Sequence, residues 1–214
     1  MNRFFSHYGS FASVLTLIAD VAMLSAFITI ASIPVVTIGP ALSAGFYVLF
    51  QIVREEGARP GFTFWRRFGT DFRAALGGGI ILVALLLLGA YQLQLVKYLP
   101  ASPTLHLVMR AGVLIGMAVI AAVGIWFFAY TSQFSASFAQ TLRNAALLAI
   151  GHLPRTLSAL LFTILPLVAL YLRPSLFWSA IILMPLFGFG FVLYLQALVL
   201  NAPLSALKNP DPTA

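Results

Sequence analysis

The fold is decided by apolar runs such as LGGGIILVALLLLGAYQLQLV, residues 76–96, in which no charged side chain occurs. A helix needs about 20 apolar residues to cross the roughly 30 Å hydrocarbon core of a bilayer. Four further runs have comparable character: 14–33, 107–131, 156–172 and 176–200. A shorter candidate, 41–53, follows the chain breakers Pro34, Gly39 and Pro40. These runs predict an all-α, polytopic transmembrane bundle of about six helices, one of them short, in a single membrane domain over 1–214.

Composition excludes most other classes of protein. Hydrophobic residues make up 61% of the chain and charged residues 8%, with a mean hydropathy of +1.01. These values rule out a water-soluble globule and a disordered chain. The chain has no cysteine, which excludes disulfides, thiolate metal sites and CxxC redox pairs. The net charge of +7 in so apolar a chain indicates anionic lipid head groups and membrane topology rather than nucleic acid.

The positions of Lys and Arg predict the topology, because short loops rich in these residues stay in the cytoplasm. With six crossings the cytoplasmic side holds nine of them: Arg3, Arg54, Arg59, Arg66, Arg67, Arg73, Arg143, Arg155 and Lys208. The other side holds Lys97, Arg110 and Arg173. Both termini are then cytoplasmic, and the first run is a retained anchor rather than a cleaved signal peptide. A re-entrant 41–53 would move only Arg3; we favour six crossings, with the short helix lengthened through Gln51 to Glu55.

Two cytoplasmic stretches have amphipathic patterns. In the first, the aromatic residues Phe64, Trp65, Phe68 and Phe72 share one arc of a helical wheel, opposite Arg66, Arg67, Thr70 and Arg73. This pattern predicts a helix lying in the plane of the inner leaflet. In the second, Phe134, Phe138 and Leu142 recur every four residues, beside Gln133, Gln140, Arg143 and Asn144. The second stretch is either a similar helix or an extension of the preceding span.

The order of elements suggests an internal duplication. A shift of 82 residues, worked out by aligning Gly69 with Gly151 and Arg73 with Arg155, superposes two stretches of similar organisation. Each has a descending helix, an amphipathic stretch and an ascending helix, so the pattern is compatible with parallel repeats over 41–96 and 107–172. Few residues are identical, and independent hairpins of similar design remain the alternative.

Four residues form the candidate intramembrane polar site: Asp20, Thr37, Gly39 and Pro40. Asp20 is the one carboxylate inside a predicted span, and such groups often mark a functional path. The structural alternative is an ion pair with Arg73 or Arg155, or a hydrogen bond to a nearby hydroxyl. The Thr37–Pro40 break is either a plain turn or an unwound segment that lines a polar cavity.

Other motifs indicate packing rather than chemistry. Gly77–Gly79 lacks the Lys-Ser/Thr of a phosphate loop, and the histidines are scattered without metal-ligand spacing. We therefore expect no catalytic residue, no cofactor, no metal and no nucleic-acid partner. Close helix contacts are expected at small residues: Ala74, Gly78, Gly112, Gly116, Gly188 and Gly190.

The chain resembles the YesL family, small bacterial integral membrane proteins of uncharacterised function. The resemblance rests on three groups of residues: Pro34, Thr37, Gly39, Pro40 and Ala44; then Phe72 and Arg73; and later Asn144, Ala145, His152, Leu153 and Pro154. It departs from the family at Ser25, where the family tends to have an amide. The resemblance implies a multi-pass protein of the bacterial plasma membrane, found in the company of carbohydrate uptake systems, particularly sugar ABC importers. It implies no established activity.

Three functions follow as expectations, of which the last, an intramembrane enzyme, has no constellation of catalytic residues to support it. The first is a non-enzymatic accessory or assembly partner of a sugar ABC importer, contacting its permease or ATPase subunits and the lipid bilayer. Its docking surface would use Trp65, Arg66, Arg67, Arg73, Arg143 and Arg155. The alternative is a small autonomous transporter or channel with Asp20 in the pathway, and homo-oligomers are compatible with both.

Overall fold

A computed structural model describes residues 4–57, 59–100 and 102–208, with side chains from residue 14 onward apart from Leu176. Over these ranges the chain is helical and contains no strand. The α-helices are α1 (Phe4–Ala31), α2 (Ile38–Val53), α3 (Pro60–Thr70), α4 (Phe72–Val96), α5 (Pro103–Gln133), α6 (Phe138–Gly151), α7 (Leu153–Leu172), α8 (Phe177–Leu183) and α9 (Phe189–Lys208). Short 3-10 turns precede α2 (Val35–Thr37) and α8 (Pro174–Leu176), and a π-helical turn, Met184–Gly188, joins α8 to α9.

Among the residues that the structure describes, six segments are long and apolar enough to cross a membrane: Val14–Ala31, Val35–Val53, Phe72–Val96, Pro103–Gln133, Leu153–Leu172 and Phe177–Lys208. This confirms the predicted all-α membrane bundle. The chain is therefore a multi-pass membrane protein.

The short second span is longer than 41–53 at its N-terminal end, whereas the prediction placed the extra length at its C-terminal end. We expected an extension through Gln51 to Glu55, but α2 stops at Val53, and Glu55 and Gly57 have positive φ angles of 56° and 69°. The extra length comes before Pro40, which lies in the first turn of α2. The first four N–H groups of a helix have no partner within the helix, so proline is tolerated there. Pro40 thus belongs to the start of the helix and does not interrupt it.

The second amphipathic stretch is a helix of its own. Phe134 is extended (φ −129°, ψ 136°), and the Ser137 hydroxyl accepts from the backbone N–H of Gln140 at 3.4 Å, which caps α6. The interpretation of this stretch as an extension of the preceding span is therefore wrong. The order membrane span, short helix, membrane span occurs twice, in α2–α4 and in α5–α7, while the proposed duplication itself stays a prediction.

The ends of α2, α5 and α9 meet at one side of the bundle. The Arg54 guanidinium donates from Nε to Asn201 Oδ1 at 2.7 Å and from Nη1 to Gln133 Oε1 at 2.9 Å. We call this the basic side, because the helices and loops that begin or end here contain Arg54, Arg59, Arg66, Arg67, Arg73, Arg143, Arg155 and Lys208. Lys97, Arg110 and Arg173 lie on segments toward the other side, and Arg3 lies outside the described residues.

Glycine contacts confirm only part of the predicted set. Gly78 lies against the Phe127 ring, and Gly190 lies against α1 at Val21 and Ser25. By contrast, the position that a Cβ would take on Gly112 or Gly116 has no heavy atom within 4 Å. These two glycines face outward, as do most side chains in the first half of α5. Ala74 is exposed as well, and the near neighbour of Gly188 is Met184 of its own turn.

Candidate functional site

Asp20 lies half-buried in a cleft of about 750 Å³ between α1, α2 and α9. The cleft is also lined by Gln51, Glu55 and Tyr194. In the described part of the chain the one ion pair joins Arg67 and Asp71. The suggested pairing of Asp20 with Arg73 or Arg155 is therefore wrong, because those arginines enter α4 and α7, away from the cleft.

The Thr37–Pro40 break is a packed turn. Thr37 Oγ1 lies 2.6 Å from the carbonyl oxygens of both Ala31 and Pro34, so it closes the link between α1 and α2. Gly39 and Pro40 are buried, and Gly39 packs against α4. Ala31 is eleven residues after Asp20 on the same helix, about 16 Å at the usual rise. Asp20 and the break are therefore separate features and not one polar site.

A second polar site lies where α4 begins beside the end of α5. This basic-side cavity has a volume of about 380 Å³, and its polar lining includes Arg67, Thr70, Asp71, Arg73, Thr131 and Gln133. Its volume falls in the range of small-ligand pockets.

Asp71 is the central group of the basic-side cavity. Its Oδ1 lies 3.4 Å from Arg67 Nη1 and accepts from the Thr70 hydroxyl at 3.3 Å. Its Oδ2 is buried with no hydrogen-bond partner among the described atoms. Burial raises the pKa of the Asp71 carboxyl, and the Arg67 charge and the Thr70 hydrogen bond oppose this only in part. A buried acceptor without a partner is costly, and it marks a place where a donor from outside the chain would be stabilised.

Arg54 forms a second polar cluster that ties three spans together. In addition to its bonds to Gln133 and Asn201, its guanidinium lies 5.5 Å from the centre of the Phe50 ring. One of its nitrogens, Nη2, is buried without a partner in the described structure. Sequence reasoning treated Arg54 only as a cytoplasmic charge, because its partners are 79 and 147 residues away.

Residues 18–93 match a protein-family model. They form a DUF624 domain, described as a protein of unknown function. The DUF624 domain runs from α1 into α4 and so contains Asp20, the Thr37–Pro40 break and Asp71. Comparison with curated proteins and with solved structures gives no match. The DUF624 domain forms only part of the basic-side cavity, since Thr131, Gln133 and Thr141 come from α5 and α6.

The predicted docking residues divide into two groups. Trp65, Arg66, Arg73 and Arg143 are exposed, as a docking surface requires. Arg67 instead folds inward, with its guanidinium 3.8 Å from the centre of the Tyr47 ring, and Arg155 is half-buried. The six residues all lie at the basic side of the bundle.

The aromatic face of α3 packs on protein to a larger extent than a helix lying flat on lipid would. Phe64 is fully buried and stacks on Phe27 of α1, with 5.9 Å between ring centres. Phe68 is partly buried against the same core, while Trp65 keeps 46% of its surface exposed. The wheel pattern located the apolar face correctly but could not show that α1 and α2 cover most of it.

Proposed function

We propose that the protein is a non-enzymatic accessory or assembly partner of a bacterial carbohydrate uptake system. It would dock through its basic side to the permease or ATPase subunits of a sugar ABC importer. The link to carbohydrate uptake rests on the resemblance to the YesL family, and the DUF624 match supports that resemblance because YesL belongs to the same family.

The exposed surface of α3, formed by Phe62, Trp65 and Arg66, is the observation that carries the docking role. Phe62 is 70% exposed and Trp65 46% exposed, and the Arg66 guanidinium lies 5.7 Å from the centre of the Phe62 ring. The buried Phe64 holds the same helix on the core, so these side chains project from a fixed support. Exposed aromatic and arginine side chains on a rigid helix have the composition of protein-binding hot spots.

The arginine and lysine residues of the basic side also support an orientation of the protein in the membrane. Under the positive-inside rule the basic side faces the cytoplasm of a bacterium, with the protein in the plasma membrane and both termini inside. The α3 surface is then on the side where the ATPase subunits of an importer lie.

Affinity purification tests this function. A tagged copy is expressed in its native host on complex carbohydrates and purified in mild detergent. We expect permease or ATPase subunits to co-purify with the wild type and to be lost with the double variant W65A/R66Q. The matched control is Arg110→Gln, which removes an exposed arginine toward the other side and should leave the partners bound. Recovery of the protein alone after crosslinking would contradict the proposal.

The cleft at Asp20 favours a second candidate, an autonomous transporter or channel. A carboxylate inside a membrane span and facing a cleft of about 750 Å³ is placed as in a substrate or proton path. Proteoliposomes would show uptake of a sugar or of protons that Asp20→Asn abolishes without changing expression. A docking protein would tolerate the same substitution, and uptake unchanged across sugars and proton gradients would exclude this candidate.

A further inference from the structure

The basic-side cavity adjoins an apolar groove on the outer surface of the bundle. The groove has a volume of about 250 Å³ and lies between α4, α5 and α6. Phe127 and Phe138 line both spaces, with 5.6 Å between their ring centres. The polar and the apolar spaces are therefore neighbours that share a wall. We call the apolar one the α4–α5 groove.

The α4–α5 groove runs away from the basic side along the two long helices. Its wall on α4 extends from Gly78 to Leu85, and its wall on α5 extends from Phe128 back to Val119. Seven residues of helix rise about 10 Å, so the groove reaches well into one leaflet. All of its lining side chains are apolar, and Leu85 and Val119 remain 40% and 57% exposed to what fills it.

The charges of the basic-side cavity suit an anionic group that can also donate a hydrogen bond. Arg67 and Arg73 oppose the single carboxylate of Asp71, which leaves the lining with a net charge of +1. Arg73 is exposed and appears in no ion pair within the described residues, so its guanidinium is free to bind a phosphate. The buried Asp71 Oδ2 accepts from no described donor and would be satisfied by a hydroxyl.

We propose that the basic-side cavity and the α4–α5 groove together bind one molecule of phosphatidylglycerol. The phosphate lies at Arg73 and Arg67, a glycerol hydroxyl of the head group donates to Asp71 Oδ2, and an acyl chain occupies the groove. This arrangement matches the shape of a phospholipid, with a charged head at the membrane surface and a chain that runs into the leaflet. This lipid site does not include Phe62, Trp65 or Arg66, so the test of lipid binding does not depend on the proposed docking role.

Lipid titration of the delipidated full chain, followed by native mass spectrometry, tests the proposal. We expect phosphatidylglycerol to bind at one copy per chain and to be preferred over phosphatidylcholine and phosphatidylethanolamine. Arg73→Gln removes a charged hydrogen bond and should weaken binding about tenfold. Leu85→Trp fills the groove and should weaken it to a similar extent.

Two matched variants control for surface effects. Arg66→Gln removes an arginine outside the cavity, and Leu87→Trp adds the same bulk on an exposed position of α4 outside the groove. Both should change phosphatidylglycerol binding by less than about twofold. Equal binding by R73Q and wild type, or by all three lipids, would overturn the proposal.

Two further measurements complete the test. The first distinguishes a lipid phosphate from a soluble phosphate, and the second uses only the wild type, so it does not depend on the folding of any variant. Glycerol 3-phosphate should fail to displace the lipid, whereas displacement at equal concentration would show a site for a soluble phosphate instead. A phosphatidylglycerol with a photoreactive acyl chain should label wild-type peptides within 78–85 and 119–128. Labelling confined to other helices would overturn the proposal without the use of any variant.

Discussion

Gly39 at the start of α2 and Gly79 in α4 pack backbone against backbone. A Cβ on Gly39 would lie 2.9 Å from the Cα of Gly79, and a Cβ on Gly79 would lie 2.8 Å from the Cα of Gly39. Real Cβ atoms do not approach backbone so closely, so no side chain fits at either position without moving a helix. The contact brings the packed turn after α1 directly onto the third membrane span.

Gly79→Ala should therefore destabilise the fold. The added methyl group has to push α2 and α4 apart, and overpacking of this kind costs roughly 1 to 3 kcal/mol. Gly77→Ala is the matched control two residues earlier, because its Cβ would meet nothing within 4 Å. Thermal unfolding in detergent should show a lower Tm for G79A and an unchanged or slightly higher Tm for G77A. Equal Tm values for the two variants would contradict the close contact.

Arg54→Met should weaken the junction of α2, α5 and α9. The substitution keeps an apolar stem beside Phe50 but removes the charged hydrogen bonds to Gln133 and Asn201, at a cost of roughly 2 to 4 kcal/mol. Arg59→Met is the control, since Arg59 is exposed and belongs to the same loop. In a double-mutant cycle with Gln133→Leu, the two losses should not add, because both variants break the same bond. Additive losses would show that the bond contributes nothing.

Ser25→Ala should also lower stability, by a smaller amount. The buried Ser25 hydroxyl accepts from the Gly190 N–H at 3.1 Å and donates to the Met184 carbonyl at 3.3 Å, across the π-helical turn. Side-chain hydrogen bonds between membrane helices contribute about 0.5 to 1.5 kcal/mol. Ser205→Ala is the control, because its hydroxyl bonds the Ala202 carbonyl of its own helix. The Tm of S25A should fall below that of S205A, and the reverse order would refute the role of this hydroxyl.

The Asp71 carboxyl should make stability depend on pH. Burial raises the pKa of Asp71 above its ordinary value of 3.8, so the folded protein binds this proton more tightly than the unfolded chain. The stabilisation that this carboxyl gives to the folded state is therefore fully present below its ordinary pKa. It is lost as the pH rises through the higher pKa that the carboxyl has in the folded protein. The Tm of the wild type should fall relative to that of Asp71→Asn over this interval. A wild type that gains on D71N as the pH rises would show that attraction by Arg67 outweighs burial.

Hydropathy predicted the membrane fold because span length and apolarity are local properties of the chain. The positions of the six spans follow from this directly, as does the existence of two amphipathic stretches. The caps and turns that set boundaries are also local, and Ser137 illustrates a signal that could have separated α6 from α5 in advance. Pro40 misled the prediction because a proline in a first turn and a proline in a break look alike in the sequence.

The candidate sites were harder to predict because they depend on which helix faces which. Gly112 and Gly116 have the spacing of a helix contact and yet face open space, while Gly39 and Gly79 have no shared motif and touch. Asp71 could have been singled out, since Arg67 lies four residues earlier, at a spacing that brings the two side chains together on a helix. The cavity around Asp71 and the neighbouring groove, however, are formed by α3, α4, α5 and α6 together, so they cannot be recognised from a single stretch of the sequence.

An uneven distribution of buried side chains has a mechanical consequence. In α5 the buried residues fall between Ala122 and Ser132, in the half nearest the basic side, and in α7 they are Thr156 and Ala159, again near that side. A mostly apolar cavity of about 380 Å³ lies between α2, α4, α5, α7, α8 and α9, and its wall on α7, from Thr163 to Leu170, belongs to the half of that helix farther from the basic side. We expect lipid hydrocarbon chains to fill this space. Lateral pressure in the bilayer then acts on a bundle whose helices pack tightly near the basic side and can move apart more easily at the other end. Lipid chain length and order would then set the spacing of the helices at that end.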